Sequence, residues 1–161
     1  MVAEADADAP RGTGWVVAQF ALMGLIVAAA FLPPPWPGEA RALLLVGGGL
    51  LIVIGLALVV WAARTMGPLL TPFPRPPADG RLVVEGPFAF VRHPVYLGGL
   101  LLFGGVALMT SVPALVITVV LGLLWHGKTR VEERYLRVQF PDYAAYVQRV
   151  RSSILPLRVP R

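Results

Sequence analysis

Cysteine is absent from the 161 residues. That excludes disulfides, thiol nucleophiles and cysteine metal sites. Histidine is nearly absent. Only His93 and His126 offer imidazole, and two histidines without a carboxylate cluster make a poor metal site, so no metal is expected. Charge is scarce as well: 14% of residues are charged and 57% hydrophobic, where a soluble domain has about 25% and about 45–50%. The deficit is concentrated. No charged side chain occurs in Gly14–Leu32, in Ala42–Ala63, or from His93 to Gly127.

A bilayer core needs about 20 apolar residues per helical span. The first two uncharged stretches fit that length, and the third must fold back or break. The chain length allows one domain, with no room for a separate soluble unit beside the spans. The formal charge of +5 raises the question of nucleic acid. No aromatic-basic platform accompanies it, whereas basic residues beside spans set topology and meet anionic headgroups. The expected partner is therefore the lipid bilayer, not nucleic acid. The start, MVAEADADAPRGTG, is acidic, unlike a secretory signal. Residues 1–13 are expected to be a disordered tail and the first stretch a retained span.

The first span, Gly14–Leu32, ends at Pro33-Pro34-Pro35-Trp36-Pro37-Gly38, since consecutive prolines cannot continue a helix. The second, about Ala42–Ala63, contains Gly47-Gly48-Gly49 and Gly55, which in a membrane let helices approach closely. Residues 64–92 form a polar, proline-rich connection without a long helix. Leu82-Val83-Val84 reads as an extended piece and Gly86-Pro87 as a turn. Connections this long are often functional.

The third stretch breaks at Thr110-Ser111-Val112-Pro113, which predicts a hairpin: Val95–Met109, a tight turn, then a helix from Ala114. Charge agrees. Of the 14 lysines and arginines, only Arg41 lies between the first two spans. With four spans all the others fall on one side, which the positive-inside rule makes cytoplasmic. One continuous span over residues 95–125 would be about 46 Å long and would divide the basic residues between both faces. From Trp125 the sequence WHGKTRVEERYLRVQF stays helix-compatible and becomes charged, so the last span should continue into the cytoplasm to about Gln139. A short helix should follow from Asp142 to about Arg151, with Tyr143, Tyr146, Val147 and Val150 on one face, capping the site or lying at the interface. The expected fold is an all-α integral membrane protein of about four transmembrane helices. Residues 14–63 hold two spans, and residues 64–161 hold the loop, the hairpin and the cytoplasmic helices around a pocket. Both termini should be cytoplasmic. Composition rich in alanine, arginine, glycine and proline points to a bacterial inner membrane.

A hairpin that returns to its starting side joins two polar clusters. One is Gly86-Pro87-Phe88-Ala89-Phe90-Val91-Arg92-His93-Pro94-Val95-Tyr96. The other is Glu132-Glu133, continuing to Phe140, Tyr143 and Tyr146. Each has an ordinary reading: Arg92 can snorkel, His93-Pro94 can start a helix, and the glutamates can be solvated. Helical spacing separates the two carboxylates. Glu133 has Arg130 and Arg137 within reach, as surface pairs do. Glu132 shares a stripe with Trp125, Lys128, Thr129 and Leu136 that runs back into the membrane. A carboxylate there requires a partner, which makes it a functional candidate.

Arg92-His93-Pro94-Val95-Tyr96, the hairpin, Glu132-Glu133 with Leu136, and Phe140, Tyr143 and Tyr146 together resemble the isoprenylcysteine carboxyl methyltransferase and phospholipid methyltransferase superfamily. The resemblance covers about residues 80–151. It implies S-adenosylmethionine as cofactor and a hydrophobic or lipid-like methyl acceptor: a prenylcysteine carboxylate, a phospholipid amine or a small thiol. It further implies cofactor contacts from Leu82, Val83, Phe88, Arg92, His93, Pro94, Tyr96 and Glu132. His93 and Glu132 are the catalytic candidates, and Lys128 stands where a substrate-binding cation occurs. Phe88 and Pro141 depart from the pattern, where tyrosine and glycine are usual. Two other readings fit the sequence: an NADPH-dependent reductase of the sterol type, and a non-catalytic membrane adaptor. Oligomeric state is not readable from the sequence.

Overall fold

The structure, a computed structural model, describes residues 12–33 and 36–154. Of the expected N-terminal tail only its last two residues fall within these, and Thr13 already opens the first helix. Among the described residues there are five α-helices and no strand: α1 Thr13–Ala29, α2 Gly38–Met66, α3 Pro94–Thr110, α4 Val112–Gln139 and α5 Tyr143–Arg149. Two 3-10 turns, Gly67–Leu69 and Gly86–Ala89, punctuate the connection between α2 and α3. Leu82–Val84 joins no strand.

α2, with the turn that continues it, and α4 are long and apolar enough to cross a membrane; α1 and α3 are apolar but shorter, 17 residues each. At 1.5 Å per residue the shorter helices reach about 25 Å. Phe31, Leu43, Val53 and Leu123 are exposed, as suits lipid-facing surfaces rather than a water-soluble shell.

The hairpin turn is tighter than expected, with only Ser111 between α3 and α4. Ser111 explains the turn. Its backbone is extended, its hydroxyl accepts from the Ala114 amide at 3.2 Å, and it donates to the Ala29 carbonyl at 2.8 Å. One buried hydroxyl thereby caps α4 and satisfies a carbonyl at the end of α1.

α2 lies along α3, α1 along α4, and α3 against α4. Glycine sets the first of these contacts. A Cβ at Gly98 would stand 2.8 Å from the Gly55 carbonyl oxygen, and one at Gly105 would clash with that of Gly48. The two backbones touch where no side chain fits, the close approach that small residues permit in membranes. Gly47 and Gly49 face open space.

α4 continues to Gln139, as its sequence led one to expect, and α5 closes back beneath it. The segment after α5 returns to the start of α3: the Arg92 amide donates to the Ser152 carbonyl and the His93 amide to that of Ser153, each at 3.0 Å. Ile154 is buried in the main core with Ile26, Leu121 and Trp125.

Candidate functional site

The loop between α2 and α3, the first turn of α3, the C-terminal half of α4, and α5 enclose a cavity of about 150 Å³. A single water needs roughly 10–15 Å³ of such space, so this is room for a ligand rather than a packing defect. Leu82, Val83, Phe88, Arg92, His93, Pro94, Tyr96 and Glu132 all line it, joined by Leu136, Phe140, Tyr143 and Tyr146.

Local sequence explains how these residues come to face one space. Gly86 has φ +59°, a left-handed conformation that favours glycine. A Cβ there would also meet the Thr65 hydroxyl at 2.8 Å. The turn it allows delivers Phe88, which is buried against Ala62 and Val83. Pro94 starts α3 at a position where no amide is required, so Arg92 and His93 sit just outside the helix with their backbones pinned to residues 152–153.

The polar centre is a tie between α4 and the residues before α3. Glu132 accepts from the Tyr96 hydroxyl. Its other oxygen lies 3.4 Å from His93 Nδ1. Glu133 Oε1 accepts from Arg92 Nε at 3.0 Å and Arg92 Nη2 at 2.8 Å, lies 3.2 Å from His93 Nε2, and accepts from Ser153 Oγ at 3.3 Å. Arg92 Nη1 also donates to the Val150 and Arg151 carbonyls at 2.7 and 2.9 Å. His93 is buried. Burial alone would lower its pKa, but the hydrogen bonds and charges of Glu132 and then Glu133 outweigh it, and the pKa is raised above 6.5.

The surface role expected for Glu133 is thus overturned. Its side chain is only 15% exposed and pairs with Arg92 and His93 across the hairpin, not with its helical neighbours. Sequence spacing had placed the two glutamates on different faces, but the tail after α5 and the Arg92-His93 segment cover both. Glu132 does lie on the cavity wall, and Trp125, Lys128 and Thr129 on its stripe are buried.

Lys128 is placed differently from the other candidates, for it does not line the cavity. Its ammonium is fully buried and donates to Gln19 Oε1 at 2.7 Å and to the Pro72 carbonyl at 2.6 Å. It stands 5.4 Å from the centre of the Tyr96 ring. Tyr96 itself stacks on His93 and Trp125, with ring centres 5.7 and 5.2 Å apart. Gln19 escaped the sequence reading. It also accepts from Trp125 Nε1 at 3.3 Å. The available signal was a lone amide in an uncharged span, where polar side chains need partners.

One feature of the cavity calls for a ligand. The Tyr143 hydroxyl is buried and has no hydrogen-bond partner among the described residues. Buried polar groups without partners are rare. Burial raises the pKa of Tyr143, and that of Tyr146 to about 12, so both keep their protons. Tyr146 donates to the Phe88 carbonyl at 2.7 Å, fixing the loop to α5.

Residues 43–142 match the family Phospholipid methyltransferase. The chain belongs to this family. Most of the cavity wall lies inside the matched region, as do the hairpin and both glutamates. A curated relative, the cobalt-zinc-cadmium resistance protein CzcN of Cupriavidus metallidurans, is 36% identical over 75 residues, which is 44% of this chain and 34% of the relative. The match therefore spans about a third of that relative's length. No cluster of three or more metal-ligating side chains occurs among the described residues. The family and the apolar helices mark a membrane protein of methyltransferase type.

Proposed function

We propose that this protein transfers the methyl group of S-adenosylmethionine to a hydrophobic or lipid-like acceptor at the cytoplasmic face of a bacterial inner membrane. The observation that carries the reading is the cavity itself. It lies at the end of the hairpin, mostly inside the family-matched region, and combines a carboxylate with the unpaired, buried Tyr143 hydroxyl on a largely apolar wall.

The residues present fit such a cofactor. Its charged amino-acid end would meet Glu132, held in place by Tyr96 and His93. Its flat polar edge would meet the backbone groups of Leu82 and Val83, and the Tyr143 hydroxyl offers a further donor. When bound, the group supplies an already activated methyl. The protein's part is then to align acceptor and donor and to exclude water, and orientation alone can lower a barrier by several kcal/mol, up to about 7–11 in well-aligned cases. A carboxylate or thiolate acceptor needs no proton acceptor, but an ammonium does.

The four-span arrangement, with both termini and the cavity cytoplasmic, belongs to the same proposal. It rests on the placement of Arg41, in the first turn of α2, as the one lysine or arginine near the end where α1 leads into α2. The test is incubation of the purified protein with methyl-labelled S-adenosylmethionine, extracted membrane lipids and small metabolites, with products identified by mass. Titration calorimetry in detergent with S-adenosylmethionine and NADPH accompanies it. Binding of the sulfonium and a labelled product are expected. Tight NADPH binding without sulfonium binding overturns the proposal in favour of a reductase, and binding of neither favours an adaptor.

A further inference from the structure

Glu132 and Glu133 are neighbours in sequence, yet each has a carboxylate oxygen within reach of a different nitrogen of one imidazole: Glu132 Oε2 at 3.4 Å from His93 Nδ1, and Glu133 Oε1 at 3.2 Å from His93 Nε2. A neutral imidazole has one protonated and one bare nitrogen. A bare nitrogen would then aim its lone pair at a carboxylate oxygen in a buried site, which is repulsive. With both nitrogens protonated, the Glu133 contact becomes a charge-assisted hydrogen bond and the Glu132 contact a close ion pair. We infer that His93 works as a doubly protonated tie that holds the Glu132 carboxylate on the cavity wall, and that it is a positioning residue rather than the reaction's proton acceptor.

The surroundings agree from every side. α4 presents Glu132, Glu133 and, beyond the Tyr96 ring contact, Lys128. α3 presents Tyr96, whose ring stacks on the imidazole and whose hydroxyl donates to Glu132. The preceding residue, Arg92, takes the same Glu133 oxygen, and the tail adds the Ser153 hydroxyl to it. Glu133 therefore faces donors throughout, and Glu132 is left with Tyr96 and His93 as its anchors. A histidine already carrying two protons cannot accept another. An acceptor that arrives protonated must lose its proton elsewhere, and the carboxylate within the cavity is Glu132.

This inference deepens the methyltransferase reading and rests on it for its meaning, but its test does not. His93 and His126 are the two histidines of the chain, and His126 is exposed. Nitrogen NMR of histidine-labelled full-length protein in detergent micelles, with His126→Gln to assign the signals, reads the protonation of both ring nitrogens directly. At pH 7.5, without donor or acceptor present, His93 should show both nitrogens protonated. In Glu133→Gln the His93 titration should move to lower pH. A wild-type His93 with one bare nitrogen at pH 7.5 overturns the inference and leaves the methyltransferase reading standing. A His93 titration unmoved in Glu133→Gln also overturns it, because the tie would then not depend on its second carboxylate. Absence of methyl transfer with a doubly protonated His93 overturns the methyltransferase reading instead.

Discussion

At the scale of single residues, the two adjacent glutamates divide the work by what they touch. Glu132 faces the cavity and Glu133 faces the protein. Glu132→Gln keeps the size and removes the charge. It should weaken S-adenosylmethionine binding more than tenfold, because a hydrogen bond to a charged group contributes about 1.5–3 kcal/mol and 1.4 kcal/mol is a factor of ten. Glu133→Gln loses charged bonds from Arg92 and His93. It should lower unfolding stability in detergent by about 1.5–3 kcal/mol, measured by thermal melting. An unchanged melting temperature in Glu133→Gln would show that the tie across the hairpin contributes little.

His93 makes stability pH-dependent. Its folded pKa lies above the unfolded value near 6.5, so its contribution is complete below about pH 6.5 and is lost as pH rises through the folded pKa. Melting scans across that window should show a decline in the wild type that is absent in His93→Gln. Identical pH profiles for the two proteins would rule this out. Glu132 was legible from its stripe, but Glu133 was not. Spacing along one helix reports neighbours on that helix and is silent about a segment arriving from elsewhere. Here Arg92 and Ser153 arrive from 41 and 20 residues away.

At the scale of elements, the hairpin, the emergence of α4 and the short α5 could all be read from charge and proline. The helix-helix contacts could be read only in part. Gly47-Gly48-Gly49 and Gly55 announce close packing, yet only Gly48 and Gly55 of the four meet α3, because the face turned inward depends on the partner helix. The same asymmetry gives a controlled experiment. Gly98→Ala places a Cβ 2.8 Å from both the Gly55 carbonyl and a Val59 methyl, so α2 and α3 must separate. Overpacking of this kind costs about 1–3 kcal/mol. Gly104→Ala, on the same helix, meets nothing within 4 Å and should be neutral or slightly stabilising, since alanine is the better helix former. Thermal melting of both variants in one detergent checks the contrast. Equal losses would mean that the helix contact does not depend on glycine.

At the scale of the whole molecule, the cavity exists because the α3–α4 hairpin returns to the end from which it starts. The connection between α2 and α3 supplies its roof, and α4 with α5 supplies the opposite wall. These walls meet only if the hairpin brings residue 132 back to the side of residue 92. The tail from Val150 to Ile154 then locks the arrangement, by backbone bonds to Arg92 and His93 and by burial of Ile154 beside α1 and α4. Basic residues give the direction. Arg64 ends α2, Arg75, Arg81 and Arg92 lie on the connection, Lys128 to Arg151 lie on the far end of α4 and beyond, and Arg41 alone sits in the first turn of α2. A periplasmic placement of the cavity would put nearly every basic residue on the side that the positive-inside rule disfavours. Reporter fusions after Gly38 and after Arg161 should therefore report opposite sides, the second cytoplasmic. If both report the same side, α1 and α2 do not each cross the membrane or the hairpin does not return, and the two walls cannot share one aqueous face. If they report opposite sides with the second periplasmic, the cavity would open away from the compartment where S-adenosylmethionine is made, and the proposed methyl transfer would lose its cofactor supply.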